Sequence, residues 1–277
     1  MNVDGAQRWR SGRASYRPAG EVIDTRRFEV AAIDGPGADN IARAFVVAHH
    51  YSASYPAARE RIGLYRGGAL VGVAVFSHPA QDKVLGCLPC PKAEAVELGR
   101  LVLLDDVPAN GESWFIARTF ELLRARGYAG VVSFADPVPR SAVGGEVVFP
   151  GHLGTIYRAT NAAYTGLATA RTLRLLPDGR VFSERTRSKI RARERGWRHA
   201  VDQLVAHGAA HPERTGDAVD LAAWLPSALK AVTRTLKHTG NLRYLFGLTP
   251  SMKRLVASST NYPPQPYPQI SVPRPRP

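Results

Sequence analysis

His49-His50-Tyr51 stands where a short helical run gives out, beside Ser52, Ser54 and Tyr55. An imidazole at a helix end titrates near neutrality and is open to substrate, so His50 can serve as a general base, or it belongs to the surface or supports a neighbour. The pair is poorly spaced for a metal, because adjacent helical residues diverge by about 100° and the i, i+4 spacing of ligands is missing. Arg100 sits in an otherwise apolar run from Leu98 to Leu104. A charge there either pairs with Glu97 or Asp136 or aims its fork at an anionic ligand. Asp136 ends a second apolar run before a proline, where it orients a histidine, accepts from a substrate amine, or caps the next turn. Tyr157, in Gly151-His-Leu-Gly-Thr-Ile-Tyr, can protonate a departing group, unless its hydroxyl is satisfied in a core. The two cysteines, Cys87 and Cys90, form one Cys-Leu-Pro-Cys, which excludes a disulfide scaffold and lacks the partners of a redox or metal site.

The elements that must hold these groups are legible from periodicity. Leu98 and Leu101 to Leu104 read as a buried strand, followed by a polar loop from Asp105 to Gly111. Ser113 or Asn110 can cap the next helix, which carries Trp114, Phe115, Phe120, Leu122 and Leu123 to a stop at Gly127. The free amides and positive dipole end at its start suit a phosphate. Tyr128 to Asp136 reads as a second buried strand, and sites in such layers open at the carboxyl ends of strands. Upstream, Arg61–Tyr65 and Ala69–Ser77 form a hairpin about Gly67-Gly68, and Ile41 to Val47 reads as a short helix. Ala159–Ala168 and Thr172–Leu176 read as the last strands of this core.

The chain has 277 residues, a net charge of +14 and a pI near 10.3. That length suits one core of about 150 residues with an appended region. No apolar run approaches the ~18 residues of a membrane span, and Met1 to Gly20 lacks the apolar centre of a secretory signal, so the expected location is the cytoplasm. The excess positive charge points to a polyanion, with nucleic acid foremost. Residues 1–20 carry Arg8, Arg10, Arg13 and Arg17 without periodicity and read as a loose basic arm, and residues 21–176 as the core. Residues 177–258 read as a basic helical region, where Arg185, Arg187, Lys189, Arg191, Arg195 and Arg198 crowd the faces left by Ile190, Trp197, Val201 and Leu204. Residues 259–277 are a Pro-rich extended tail.

The order of hairpin, long strand, loop, helix, strand and tyrosine-bearing helix resembles the GNAT acyltransferase superfamily. That resemblance implies an α+β fold with a mixed, mostly antiparallel sheet flanked by helices. It also implies an acyl-CoA or related small donor, its arm between two splayed strands near Val102 and Leu104 and its pyrophosphate on Asn110, Gly111, Glu112 and Ser113. The loop Pro108-Ala-Asn-Gly111-Glu departs from the usual pattern, with one glycine and an acidic residue. A closer resemblance is to the Mom family of phage DNA-modification proteins, carried by His49-His50-Tyr51-Ser52, Glu97-Leu-Gly-Arg100-Leu, Ser113-Trp114, Ser133-Phe-Ala-Asp136, Gly154-Thr-Ile-Tyr157-Arg-Ala-Thr-Asn161, the segment Ser183 to Arg198, and Gly240-Asn-Leu-Arg-Tyr244.

The Mom resemblance implies transfer of a carbamoylmethyl-type group to the exocyclic amine of adenine in double-stranded DNA, protecting it from restriction. It makes His50, Tyr51, Arg100, Ser113, Asp136 and Tyr157 the active-site residues and leaves an iron requirement open. Reaching that amine in a duplex requires flipping the base against walls for which Tyr51, Tyr55, Phe134 and Tyr164 are available. A conventional acetyltransferase of protein or RNA and a non-catalytic DNA-binding protein are the competing readings.

Overall fold

The computed structural model describes residues 5–10, 13–18, 20–79, 81–212 and 220–269. The chain divides into two compact units, Met1–Pro137 with Gly151–Ala168 and Asn241–Pro277, and Val138–Pro150 with Thr169–Gly240. In chain order the strands and helices are β1 (Gly5–Arg10), β2 (Arg13–Pro18), β3 (Phe28–Ala32), α1 (Ala38–His49), β4 (Ala58–Arg66), β5 (Ala69–Ser77), β6 (Ala95–Leu103), α2 (Gly111–Ala125), β7 (Gly130–Ala135), β8 (Arg140–Ser141) and β9 (Val147–Phe149). There follow α3 (Thr155–Ala159), β10 (Ala163–Leu167), β11 (Arg171–Leu175), α4 (Glu184–Ala192), α5 (Trp197–Ala206), α6 (Leu221–Val232), β12 (Arg234–His238), β13 (Leu242–Gly247) and α7 (Pro250–Ala257).

The first unit is built on a seven-stranded sheet of order β10-β13-β7-β6-β5-β4-β3. Its neighbours are antiparallel except for β6 and β7, which run parallel. A parallel neighbour needs a crossover, and α2 supplies it. Gly67 and Gly68, both at positive φ, close the β4–β5 hairpin as a primed turn needs.

Alternation assigns the two faces. Val96, Leu98, Val131, Ala135, Tyr244 and Phe246 pack with Phe115, Ile116 and Leu123 of α2 and Tyr157 of α3. On the other face Val73, Val75 and Val102 pack under Ala42 and Val46 of α1, while Val132 and Leu245 pack under Met252 and Val256 of α7.

The pairing of β6 with β7 covers only Ala95↔Gly130 to Leu98↔Ser133, although β6 continues to Leu103. At the same level the β5–β6 register shifts: Val75 pairs with Arg100 and Phe76 with Leu98, leaving Gly99 as an extra residue. Such a bulge bends its strand and increases local twist, so β6 turns away from β7 just past Leu98. A Cβ at Gly99 would meet Ser77 Oγ at 2.4 Å, so a side chain there would force the buried Ser77 hydroxyl to turn. The α+β architecture, with a mostly antiparallel sheet between helical layers and one splayed parallel pair, is the one the GNAT resemblance implies.

The second unit holds the β8–β9 hairpin, a two-stranded β11–β12 ribbon, and α4, α5 and α6 around Leu176, Phe182, Ile190, Leu204, Leu225 and Leu229. The basic helical run breaks into α4 and α5 at Arg193 and Gly196, both in left-handed backbone.

Four boundaries differ from the sequence expectation. Gly5–Arg10 and Arg13–Pro18 pair as antiparallel strands, where the sequence suggests a loose arm. Arg171–Leu175 leaves the core to pair with β12 in the second unit. Residues 242–257 return to the first unit, β13 entering the sheet between β7 and β10. The Pro-rich segment is docked as far as it is described: Gln265 donates its amide to Tyr164 O at 2.7 Å, and the Tyr267 hydroxyl bonds the Ala162 carbonyl. The last three differences involve a pairing partner distant in sequence, which local periodicity does not encode, whereas β1 and β2 pair with each other locally.

Gly247 ends β13 where α7 crosses it, and a Cβ there would lie 2.4 Å from Lys253 N and 2.6 Å from the Met252 carbonyl carbon. Backbone cannot yield as a side chain can, so Gly247→Ala is expected to destabilise the protein by about 1–3 kcal/mol. Equal denaturation midpoints for variant and parent would refute this packing.

Candidate active site at the strand split

His50 caps α1, its amide bonded to Val46 O at 2.8 Å, and its ring is held by the turn that follows. The Ser52 amide donates to His50 Nδ1 at 3.1 Å, and Ser52 Oγ lies 2.9 Å from the same nitrogen. Ser54 Oγ bonds Ser52 Oγ at 3.1 Å. Arg100 completes the chain, donating from Nη2 to Ser54 Oγ at 2.7 Å and from Nε to Ser54 O at 2.9 Å. An unbroken run of hydrogen bonds therefore joins β6 to the end of α1. The Tyr51 ring lies 4.2 Å from that of His50, tilted by 31°. Burial, then the positive charge of Arg100 and the nearby His152, hold the His50 pKa well below its ordinary value, so the ring is neutral at pH 7.

Tyr157 approaches from the opposite side of the sheet. Gly154 gives α3 its entry: it has φ +71°, and a Cβ would meet the Tyr157 ring at 2.7 Å and the Tyr244 ring at 2.8 Å. Tyr157 packs on Tyr244 and Phe246, with ring centroids 5.1 and 6.1 Å away. Burial pushes its pKa up to about 12, partly opposed by its hydrogen bond with Ser133. Ser133 is the last β7 residue paired with β6, so that bond places the phenol at the apex of the split. Tyr51, Glu97 and Arg100 are near enough to affect its ionisation.

Glu97 and Arg100 both belong by alternation to the face under α1. Burial raises the Glu97 pKa against the pull of Arg100, and burial lowers that of Arg100. Across the split Asp136 follows the last residue of β7, its carbonyl accepting from the His152 amide at 2.8 Å. The structure thus gathers His50, Tyr51, Arg100 and Tyr157 about the split, with Glu97, Ser133 and His152 beside them.

The residues expected to hold a donor lie apart from this cluster or are already engaged. Val102 is buried on the α1 face and Glu112 in the first turn of α2. Ser113 donates to Asn110 O at 3.0 Å, and Asn110 Oδ1 accepts from the Ile23 amide at 2.9 Å. The Ala109 amide, which would face a pyrophosphate, donates to Glu21 Oε2 at 3.0 Å, and that of Gly111 to Pro108 O. Gly111 has no room for a side chain, since a Cβ would meet Val107 Cγ1 at 2.6 Å. Asn110 and Ser113 line a groove of about 900 Å³ with Trp114, Phe120, Lys253 and Tyr267, and none of His50, Arg100, Asp136 and Tyr157 lines it. A pyrophosphate at this helix start would have to displace Glu21.

The aromatic walls separate too. Tyr55 donates to Asp39 Oδ1 at 3.0 Å beneath Arg43, Tyr164 stacks on Tyr244 on the α3 face, and Phe134 lies on the other face packed with Val132 and Leu245, while Tyr51 lies against His50. Burial pushes the Cys87 and Cys90 thiols up to about 11, so neither is a thiolate at neutral pH. Among the described residues no three His, Cys, Asp or Glu side chains are placed to hold a metal ion, and no helix is long and apolar enough to cross a membrane.

In the second unit the basic residues divide into two sets. Arg185 pairs with Glu194, and Arg187 and Arg191 with Glu184. Among the described residues no ion pair engages Lys189, Arg195 or Arg198, and the Arg198 guanidinium lies 5.1 Å from the Trp197 ring.

The splayed parallel pair, with polar groups at its opening and a crossover helix on one face, defines a GNAT-like α+β fold. Solved structures with which it shares a weak likeness include a tandem GNAT protein from the clavulanic acid biosynthesis pathway, 10% identical over 80% of this chain and 99% of that one, TM-score 0.42. Others are a Bacillus subtilis acetyltransferase in complex with CoA, 8% identical over 80% and 99%, TM-score 0.33, and the Escherichia coli ribosomal-protein-S18-alanine N-acetyltransferase, 14% identical over 56% and 88%, TM-score 0.32. No curated protein matches the chain. The sequence profile of the Mom protein family matches residues 27–269, and the chain belongs to that family.

Sequence reasoning gave no role to Ser52, Ser54, Ser133 or His152, and treated Glu97 only as a partner for Arg100. An acidic residue in a buried run was the available signal for Glu97; the serines become informative only when the loop folds back on β6. The depressed His50 pKa has a consequence for stability. Below the ordinary imidazole pKa of about 6.5 the unfolded chain takes up a proton that the folded ring refuses, so stability is lost as pH falls. His50→Gln is expected to remove that component, and thermal unfolding followed from pH 7.5 to 5 should show the parent losing stability faster than the variant. Parallel curves would contradict the burial of a neutral His50.

Proposed function

We propose that this protein is a Mom-type transferase that places a small carbamoylmethyl-type or acyl group on the exocyclic amine of adenine in double-stranded DNA, and so protects that DNA from restriction. The observation that carries the reading is the meeting of His50, Tyr51, Glu97, Arg100 and Tyr157 where β6 leaves β7. Family membership and the net charge of +14 support it.

An amine conjugated to a purine is a weak nucleophile, so the site must position the donor, take a proton and stabilise developing charge. The amine nitrogen forms a bond to the electrophilic carbon of the donor, and the bond from that carbon to its leaving group breaks, its electron pair going with the leaving group. The amine proton passes to a carboxylate, for which Glu97 is suited because burial raises its basicity. Tyr157, a buried phenol protonated at pH 7, delivers a proton to the leaving group. Arg100 offsets negative charge on the reacting group. Tyr51 stacks on the flipped base, whose extraction from the duplex costs a few kcal/mol.

The second unit holds the phosphate backbone in this reading. Lys189, Arg195 and Arg198 carry most of that contact, because engaging Arg185, Arg187 or Arg191 frees Glu184 or Glu194 to repel phosphate.

Nucleoside mass spectrometry of DNA from cells expressing the protein tests the chemistry. A modified deoxyadenosine is expected, falling roughly 10²–10⁴-fold with Tyr157→Phe. Unmodified DNA with acetylated protein or RNA would assign a conventional acetyltransferase instead, and salt-sensitive DNA binding without product a non-catalytic binder. For the contact surface, replacing Lys189, Arg195 and Arg198 with Ala is expected to flatten the salt dependence of DNA binding by ~0.9 per charge, and the Arg185, Arg187, Arg191 triple variant by less. Equal slopes for the two triple variants would contradict the division.

A further inference from the structure

The hydrogen-bond chain between Arg100 and His50 has a direction. A guanidinium has donors only, so Ser54 Oγ, 2.7 Å from Arg100 Nη2, must accept from it. The single proton of Ser54 is then directed at Ser52 Oγ, 3.1 Å away. Ser52 Oγ, accepting that bond, turns its own proton to His50 Nδ1 at 2.9 Å. The Ser52 amide, which can only donate, points at the same nitrogen at 3.1 Å. Two donors converge on Nδ1, so its lone pair is exposed to them and, in a neutral ring, the proton is on Nε2.

We infer that His50 works as a hydrogen-bond donor through Nε2–H, directed at a carbonyl oxygen of the group being transferred, and that Ser52 and Ser54 are positioning residues that impose this tautomer from the fixed charge of Arg100. This replaces the general-base role that a histidine at a helix end suggests, because a base needs its lone pair free and the Nδ1 lone pair here is taken by Ser52. An acyl group and a carbamoylmethyl group share a carbonyl oxygen, so the donor role serves either. Preorganised donors are worth most where charge develops on oxygen in a site that excludes water. The groups around the ring favour its neutral form: Arg100 and His152 repel a second positive charge, while Tyr51 is stacked on the ring. Protonating His50 would put a hydrogen on Nδ1 against the Ser52 amide, which cannot turn away.

The catalytic half of this inference rests on the transferase reading; the tautomer does not, so the two fail separately. Nitrogen-15 NMR of the full-length protein labelled at histidine, at pH 7.5, reads the tautomer directly, with His50→Gln identifying the His50 signals among those of the eight histidines. Nδ1 is expected in the unprotonated range and Nε2 in the protonated range. The opposite arrangement, or two protonated nitrogens, overturns the inference whatever the enzyme does. Ser54→Ala cuts the chain while keeping the Ser52 amide, and is expected to shift the Nδ1 resonance with the tautomer retained; an unmoved resonance would remove Ser54 from the relay. In the DNA modification assay His50→Ala is expected to lose roughly 10²–10³-fold, the cost of one such donor. His50→Gln, whose amide presents an N–H near the Nε2 position, should recover a large part of that loss. Equal inactivity of a folded His50→Gln and His50→Ala would return the residue to the role of base.

Discussion

The site depends on two strands ceasing to pair. From Ala95 to Leu98 the backbone of β6 is matched to β7, and beyond Leu98 that pairing stops although β6 runs five residues further. The Gly99 bulge supplies the bend, with the Ser77 side chain packed against it. A parallel pair in the middle of a sheet is ordinarily buried on both faces. Opening it halfway along creates a slot that groups from both helical layers can reach. Arg100 and Glu97 come from the α1 face, and Tyr157 comes from α3 on the other.

The groups around that slot are kept apart in charge by different physical means. His50 is neutral because burial and Arg100 disfavour its cation. Tyr157 keeps its proton because burial disfavours its anion. Glu97 is drawn both ways, upward by burial and downward by Arg100. Arg100 is thus the common reference: it lowers the histidine, opposes the rise of the carboxyl, and anchors the loop through Ser54. An Arg100 swung toward solvent would alter three protonation equilibria together and release the turn at residues 50–54. Positions in such a network act as a unit, and their individual effects do not add.

Much of this was legible in the sequence, and the limit follows the range of the interactions. The β4–β5 hairpin, the strand from Ala95, the helix behind Ser113 and the short helix bearing Tyr157 were readable because glycine turns, apolar alternation and helical periodicity are local signals. So were His50 and Tyr51 at a helix end, Tyr157 behind a glycine-rich loop, and Arg100, since a charge set in an apolar run must be satisfied by something. What local pattern misses is pairing at long separation. β13 joins β7 more than a hundred positions along the chain, and the Glu21 carboxylate occupies an amide of the loop before α2. The phosphate-binding expectation for that loop assumed free amides, and an upstream carboxylate had already claimed one.

Counting arginines along residues 183–198 overstates the charge that α4 and α5 can offer a polyanion, because folding brings Glu184 beside Arg187 and Arg191, and Glu194 beside Arg185. The break at Arg193 and Gly196 permits the Arg185–Glu194 pair: a continuous helix would fix Glu194 nine residues from Arg185, two and a half turns along the axis and beyond reach of an ion pair. Residues that exchange one anion for another gain less than those meeting phosphate from water. The effective charge of this surface is therefore set by backbone geometry at the turn as much as by composition. In the proposed reading, DNA contact falls on Lys189, Arg195 and Arg198 more than a residue count implies.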